Sequence, residues 1–157
     1  MPKSFGKNVR EKIVSHLIKS KLVIVGIPAI IKNSRGEILL GKREKNAVYY
    51  PSTWGLPGGL MDRGESIDKA IRRELKEELG VSSNVIKHGK IFNSLPTKEC
   101  QIHSINIPVY CEIKGAPKSE DETSEVKWFK PEEIKKMKLA YRHKEILKEE
   151  GIIKWKK

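Results

Sequence analysis

The chain has 157 residues, 38% hydrophobic and 33% charged. That is the length of one domain, enough to bury roughly 70% of the surface its unfolded chain exposes, and too apolar for a disordered polar chain. The net charge of +12, from 32 Lys and Arg against 20 Asp and Glu, suits nucleotides, nucleic acid or acidic surfaces without choosing among them.

The longest apolar run, Leu22 to Ile31, is interrupted by Gly26 and Pro28 and falls well short of the roughly 20 residues that span a bilayer, so no transmembrane helix is expected. The basic start is not followed by an apolar segment with a small-residue cleavage site, which points to the cytoplasm. Cys100 and Cys111 are the two cysteines; without CxxC spacing or a Cys/His cluster they read as free, semi-buried thiols.

Asn8 with Glu11 resembles a helix-starting cap, and Val9, Ile13, Leu17 and Ile18 recur at helical spacing, which predicts a short amphipathic extension over about residues 1–20. Leu22 to Ile31 and Glu37 to Leu40 read as two strands of a hairpin about Asn33-Ser34-Arg35-Gly36. Tyr49 to Gly59, crowded with aromatic residues, Gly and Pro, reads as a shaped loop holding a short strand. Ser66 to Leu79 has no Gly or Pro and places Ile67, Ile71, Leu75 and Leu79 at intervals of four, a helix with Gly80 as its stop. Strand-like stretches follow at Val85 to Ser94 and Ile102 to Ile113, then a polar loop from Lys118 to Ser124 and a short strand around Val126 to Phe129. Pro131 starts a further helical region, with a break near Tyr141, that runs toward Gly151. The sequence contains neither an internal repeat nor a linker able to separate two units, so residues 1–157 are expected to form one domain.

The chemistry concentrates between Gly58 and Val81. At about 100° per residue, Glu74, Glu77 and Glu78 fall within one sector of roughly 100° that borders the stripe of Ile71, Leu75 and Leu79. Like charges at i and i+4 repel, so either the helix shows a solvated face or something positive compensates. Lys69, Arg72 and Lys76 lie across the helix, and Arg73, four residues before Glu77, orients only part of the cluster. A hard divalent cation, Mg²⁺ or Mn²⁺, suits such oxygen ligands. Gly58-Gly59 ahead of the helix allows backbone to approach a metal or a phosphate, and Glu65 stands just before the helix start.

Gly59, Glu65, Arg73-Glu74-Leu75, Glu77-Glu78 and Gly80-Val81 are nine fixed positions across twenty-three residues, and their spacing resembles the Nudix box of MutT-like hydrolases throughout. Ile38 to Arg43, Trp54 to Gly59 and Glu125 to Phe129 are similar to family usage as well, so the resemblance covers about Leu22 to Ile134. It implies an α/β/α sandwich around a mixed β-sheet and metal-dependent hydrolysis of a nucleoside diphosphate linked to another group. It also implies Glu74, Glu77, Glu78 and the Gly58 carbonyl as metal ligands, Arg73 as the orienting residue of the catalytic set, and a structural or electrostatic role for Glu65. The general base would be Glu74 or one of Glu120, Glu122 and Glu125, with Glu122 and Glu125 also candidates for an extra metal ligand.

For substrate binding, Tyr49, Tyr50 and Trp54 are candidates to stack on a base or ribose, although aromatic residues beside a strand are more often core. Arg43, with Lys42 beside it, is the candidate phosphate ligand, because a guanidinium pairs bidentately with phosphate oxygens. Pro96, fifteen residues beyond Val81, is similar in spacing to a proline that marks the family's ADP-ribose hydrolases. His88, His103 and His143 are isolated and read as surface or core histidines. The expected partner is therefore a nucleotide, ADP-ribose-like nucleotide sugars standing slightly ahead of free, including oxidised, nucleoside triphosphates, with no membrane. A non-catalytic nucleotide- or RNA-binding module and hydrolysis of capped RNA are the alternatives; nucleic acid is less favoured, and a homodimer is compatible with all of them.

Overall fold

The computed structural model describes Lys12, Ile13, His16 and residues 21–154. Apart from those three residues, the expected N-terminal helix lies outside the described residues. Along the chain, β1 (Val23–Ile31) and β2 (Ile38–Arg43) precede the two short strands β3 (Trp54–Gly55) and β4 (Gly58–Leu60). Helix α1 (Ile67–Leu79) is followed by β5 (Ser82–His88), β6 (Phe92–Ser94), β7 (His103–Asn106), β8 (Val109–Lys114) and β9 (Thr123–Phe129). Helices α2 (Pro131–Lys136) and α3 (His143–Glu149) close the described chain. Among the described residues no helix is long and apolar enough to cross a membrane.

Two sheets form. One has the order β5-β8-β1-β7-β6, with β4 also paired to β1, and the other runs β3-β2-β9. The first is mixed: β1 is parallel to β7 and β8 and antiparallel to β4. Alternation along the strands separates two cores. Ile27, Ala29 and Ile31 of β1 and Leu39 of β2 pack with Ile71, Leu75 and Leu79 of α1. Ile30, Ile38 and Leu40 face the other way, onto Ile134 of α2 and Ile146 and Leu147 of α3. Helices therefore cover both faces, and the architecture is the α/β/α sandwich with a mixed sheet that the resemblance implies.

Helix α1 begins and ends as its sequence dictates, with the Ser66 side chain accepting from the Lys69 N–H and Gly80 closing it in the left-handed region at φ 65°. Three strand expectations are corrected. Asn33 to Glu37 does turn the chain, but a single bridge, Lys32 to Ile38, joins the arms, and β1 and β2 then enter different sheets. Val85 to Ser94 splits around Gly89, and Ile102 to Ile113 splits at Ile107-Pro108, where proline has no N–H for a ladder. The two breaks are tied together, the Gly89 N–H donating to the Pro108 carbonyl at 2.6 Å. Cys100 and Cys111 are free thiols, both buried.

The β1–β4 pairing sets up the site. The Ala29 N–H donates to the Pro57 carbonyl and the Met61 N–H to the Val25 carbonyl, so in the alternating antiparallel pattern Pro28 and Gly58 face each other at a position without ladder hydrogen bonds. The missing Pro28 N–H would point to the opposite edge of β1, in the gap where the pairing with β7 ends at Gly26 and that with β8 begins at Ala29, and the Gly58 amide is left for another acceptor. Gly58 sits at φ 124°, and a Cβ there would stand 2.2 Å from the Ile27 carbonyl oxygen. Gly36, at φ 78°, has nothing within 4 Å of its Cβ direction. Gly36→Ala should therefore cost only the left-handed penalty, about 1–2 kcal/mol. Gly58→Ala adds a backbone clash and should cost about 3 kcal/mol or more. Urea unfolding midpoints of the two variants test the difference, and equal losses would contradict the β1–β4 geometry.

Candidate active site

Helix α1 carries its carboxylates on two different surfaces. Glu74 is 1% exposed and Glu78 8% exposed, both within the buried face, whereas the Glu77 side chain is 46% exposed at its edge. The three share a sector, as the helix period predicts, but two of them are under the sheet. Burying carboxylates costs several kcal/mol per ion unless polar partners replace water. Here the replacements are specific. Glu78 Oε2 accepts from the Gly58 N–H at 2.8 Å, and Glu74 Oε1 accepts from Arg73 Nη1 at 2.8 Å.

Arg73 is the hub. Its Nε donates to Glu65 Oε1 at 2.7 Å, and its Nη2 donates to Glu65 Oε2 at 2.9 Å and to the Leu60 carbonyl at 3.1 Å. Its contact with Glu77, at 3.4 Å, is longer than those with Glu65 and Glu74. The contact with Glu77 that the sequence spacing suggests is present, but the guanidinium holds Glu65 and Glu74 more closely, and those hydrogen bonds, Glu65 first, push its pKa upward against the effect of burial. Glu65 also accepts from the Asp62 N–H at 2.9 Å, which locks the loop before α1 onto the helix.

A cavity of about 170 Å³ opens beside these groups, lined at one end by Gly58, Gly59, Glu74 and Glu78 and elsewhere by Arg43, Tyr49, Glu122, Tyr141 and His143. Of the sequence candidates it gathers Gly58, Glu74, Glu78, Arg43, Tyr49 and Glu122. Arg43 is aimed by its Nε–H, which donates to the Tyr49 carbonyl at 2.8 Å, and its guanidinium lies 5.2 Å from the Tyr141 ring centre. Tyr50, whose ring packs 5.1 Å from Tyr141, lines a smaller adjoining cavity instead.

Trp54, Glu125 and Pro96 are among the candidates that line neither cavity. Trp54 is a brace: its ring meets the edge of Phe129 at 4.9 Å and 74°, and its carbonyl accepts from the Ala140 N–H. Glu125, exposed on β9, lies 3.6 Å from Lys42 Nζ. Pro96 lies in the exposed loop between β6 and β7, although its neighbours Leu95 and Thr97 line the smaller cavity.

Among the described residues no three His, Cys, Asp or Glu side chains already converge as a closed metal cage. The donor set nevertheless suits a hard cation, with the carboxylates of Glu74 and Glu78 lining one cavity and Glu77 beside them on the helix edge. The backbone leaves room for them too, since a Cβ on Gly59 would stand 2.5–2.6 Å from the Glu74 carboxylate.

The sequence reading gave His143 and Tyr141 no part in the site, taking the first as a surface or core histidine and the second as a helix break. Both come from the break after α2, where periodicity carries no signal, and Tyr141 holds a left-handed φ of 54°. His143 Nδ1 accepts from the Leu56 N–H at 3.0 Å, which leaves the ring proton on Nε2. Burial, with the Arg43 charge nearby, pushes its pKa down to about 3.

Buried helix carboxylates at one end of a cavity and an aimed guanidinium elsewhere in it define a phosphate-handling hydrolase. The model of the NUDIX domain matches residues 23–149, and the chain belongs to the Nudix family, whose members are generally dependent on a divalent metal. It is a Nudix hydrolase, an enzyme of nucleotide pyrophosphate bonds. The chain is 31% identical to an ADP-ribose pyrophosphatase of Methanocaldococcus jannaschii over 158 residues, covering 97% of this chain and 89% of that protein. It is 28% identical to the nucleoside triphosphatase NudI of Escherichia coli over 133 residues, covering 79% and 94%. Among solved structures, a MutT protein from Methanosarcina mazei Go1 superposes with a TM-score of 0.71 at 25% identity, covering 82% of this chain and 92% of that one.

Two outcomes follow from the geometry. Arg73→Ala leaves Glu74 buried without its guanidinium and should cost about 3–5 kcal/mol in urea unfolding, while weakening Mn²⁺ binding measured by electron paramagnetic resonance. Unchanged Mn²⁺ affinity would remove Arg73 from the ligand-orienting role. His143 in the unfolded chain takes up a proton near pH 6.5, whereas in the folded protein it stays neutral down to about pH 3. Its contribution is therefore complete above pH 6.5 and lost as pH falls from there toward 3. His143→Asn should flatten the decline of stability over that window, and identical slopes in variant and wild type would contradict a neutral buried imidazole.

Proposed function

We propose that this chain is one domain over residues 1–157, acting in the cytoplasm, that hydrolyses the pyrophosphate bond of a nucleoside diphosphate linked to a sugar, ADP-ribose or a close analogue. The observation that carries the reading is the cavity, in which the carboxylates of Glu74 and Glu78 line one end and Arg43, Tyr49 and Tyr141 line a further part. Carboxylates and a guanidinium in one cavity suit a diphosphate bound with a cation. The near full-length similarity to a protein named ADP-ribose pyrophosphatase supports the same substrate class. Similarity to NudI supports the second reading, cleavage of nucleoside triphosphates.

Glu74, Glu77, Glu78 and the Gly58 carbonyl would hold Mg²⁺, with Mn²⁺ as a substitute. When bound, such a cation neutralises charge on the diphosphate oxygens and makes water more acidic. The chain's own groups do the rest. Arg43 binds phosphate oxygens with its fork of N–H donors, and Arg73 keeps Glu74 in place. Glu122, which lines the cavity where Glu125 does not, accepts the proton of the attacking water. The water oxygen bonds to phosphorus, the anhydride P–O bond breaks, and the products are AMP and ribose 5-phosphate.

The test is a hydrolysis screen with identified products. ADP-ribose should show a kcat/KM at least about tenfold above those for dGTP and 8-oxo-dGTP. Glu78→Gln should lower turnover about a thousandfold and Glu122→Gln about a hundredfold or more. A tenfold preference for triphosphates, with pyrophosphate released, would establish the NudI-like reading instead.

A further inference from the structure

One polar side chain in the cavity has no part in that mechanism. On β1 the residues facing away from α1 are Ile24, Gly26 and Pro28, and all three line the cavity. Asn106 of β7 lies opposite Gly26 in the parallel register, is only 9% exposed, and lines the same cavity. Its amide nitrogen is turned to Ser104. Nδ2 donates to Ser104 Oγ at 3.0 Å and, at 3.5 Å, reaches the Ser104 backbone carbonyl. A carbonyl only accepts, so that end of the amide is the nitrogen.

Oδ1 is then the end turned over Gly26, and a Cβ at Gly26 would stand 2.5 Å from it. Glycine at this position is what lets the amide oxygen lie on the cavity face of β1. Among the described residues the hydrogen bonds of this side chain go from Nδ2 to Ser104, and no donor reaches Oδ1. An acceptor that faces a cavity and that no protein donor reaches is open to a donor on a ligand.

We infer that Asn106, seated over Gly26, is a specificity-determining residue that accepts a hydrogen bond from an N–H or O–H donor on the nucleoside part of the substrate. The inference rests on the proposed function, which puts a nucleotide in this cavity. An amide oxygen repels phosphate oxygens, so the diphosphate belongs with Arg43 and the α1 carboxylates, and the uncharged part of the ligand lies against Asn106. The surroundings agree: Ile102 and Ser104, beside Asn106, are shared with the adjoining cavity that holds Tyr50, so this wall is mostly apolar and continues past the main cavity. The donor is either the exocyclic amino group of the base or a ribose hydroxyl.

Equilibrium binding distinguishes them without turnover. Calorimetric titration of the full chain in Mg²⁺ would use four probes: AMP, IMP, in which a carbonyl replaces the amino group, and the 2′-deoxy and 3′-deoxy forms of AMP. Wild type should bind AMP at least about tenfold tighter than one of the other three. IMP as the weak ligand identifies the base amino group, and a deoxy form identifies the ribose hydroxyl. Asn106→Ala, which removes the acceptor, and Gly26→Ala, which displaces it, should each bring that ratio to within about twofold. A ratio of two affinities in one sample does not depend on how much of the variant is folded. Equal binding of all four probes by wild type, or a ratio untouched by both substitutions, would overturn the inference and leave Asn106 as a brace of β7. Absence of ADP-ribose hydrolysis would count against the proposed function, and the AMP–IMP comparison would still stand by itself.

Discussion

The ion pair between Arg73 and Glu74 is the constraint on which the site depends. A carboxylate 1% exposed beneath a sheet is tenable only with a charged donor at hydrogen-bond distance, and the guanidinium at 2.8 Å supplies it. The same guanidinium binds Glu65 through two nitrogens and the Leu60 carbonyl, so one side chain ties α1 to its own N-terminal loop and to β4. Glu78 repeats the arrangement on a smaller scale with the Gly58 amide. The helix can therefore pack Ile71, Leu75 and Leu79 into the core while keeping two acidic side chains on the same buried face.

That arrangement marks the limit of what could be read from residues alone. Helical period places Glu74, Glu77 and Glu78 in one sector because the angle per residue is local geometry. Which of them is buried depends on β4, a three-residue strand whose pairing with β1 no periodicity announces. Arg73 reaches Glu65 eight residues away more closely than Glu77 four residues away, because the loop from Asp62 to Glu65 folds back over the helix. Strand breaks at Gly89 and Pro108 were written in the residues themselves, yet apolar runs on both sides hid them. Trp54 illustrates the opposite error: an aromatic residue beside a glycine loop suggests a stacking surface, but tertiary packing placed it on Phe129.

The cavity has an origin in side-chain size. Successive residues on the face of β1 turned away from α1 are Ile24, Gly26, Pro28 and Ile30, and only Ile30 is filled in by the second core. Glycine and proline carry too little side chain to close the gap to α2 and α3, and the linker between those helices bridges it instead. There Tyr141 packs against His143, the first residue of α3, with ring centres 5.5 Å apart, and the Leu56 N–H fastens His143 to the loop that leads into Gly58. Sequence segments separated by more than eighty residues thus share one hydrogen bond at the wall of the site, which is why the histidine looked isolated in the sequence.

Charge is distributed in this cavity so that ligand length matters. Carboxylates at one end need a cation before they tolerate phosphate, and the guanidinium of Arg43, stacked against Tyr141, offers its own positive charge elsewhere in the cavity. A single phosphate group satisfies one of these sites. Under the proposed function two linked phosphates engage both, and Glu122 lines the same cavity. Binding energy from the second phosphate and the group beyond it is thereby available to hold the reacting bond in position. The net charge of +12 has no need to enter this account, because the proposed function calls on Arg43 and a metal held by the helix glutamates, not on the lysines that dominate the surface.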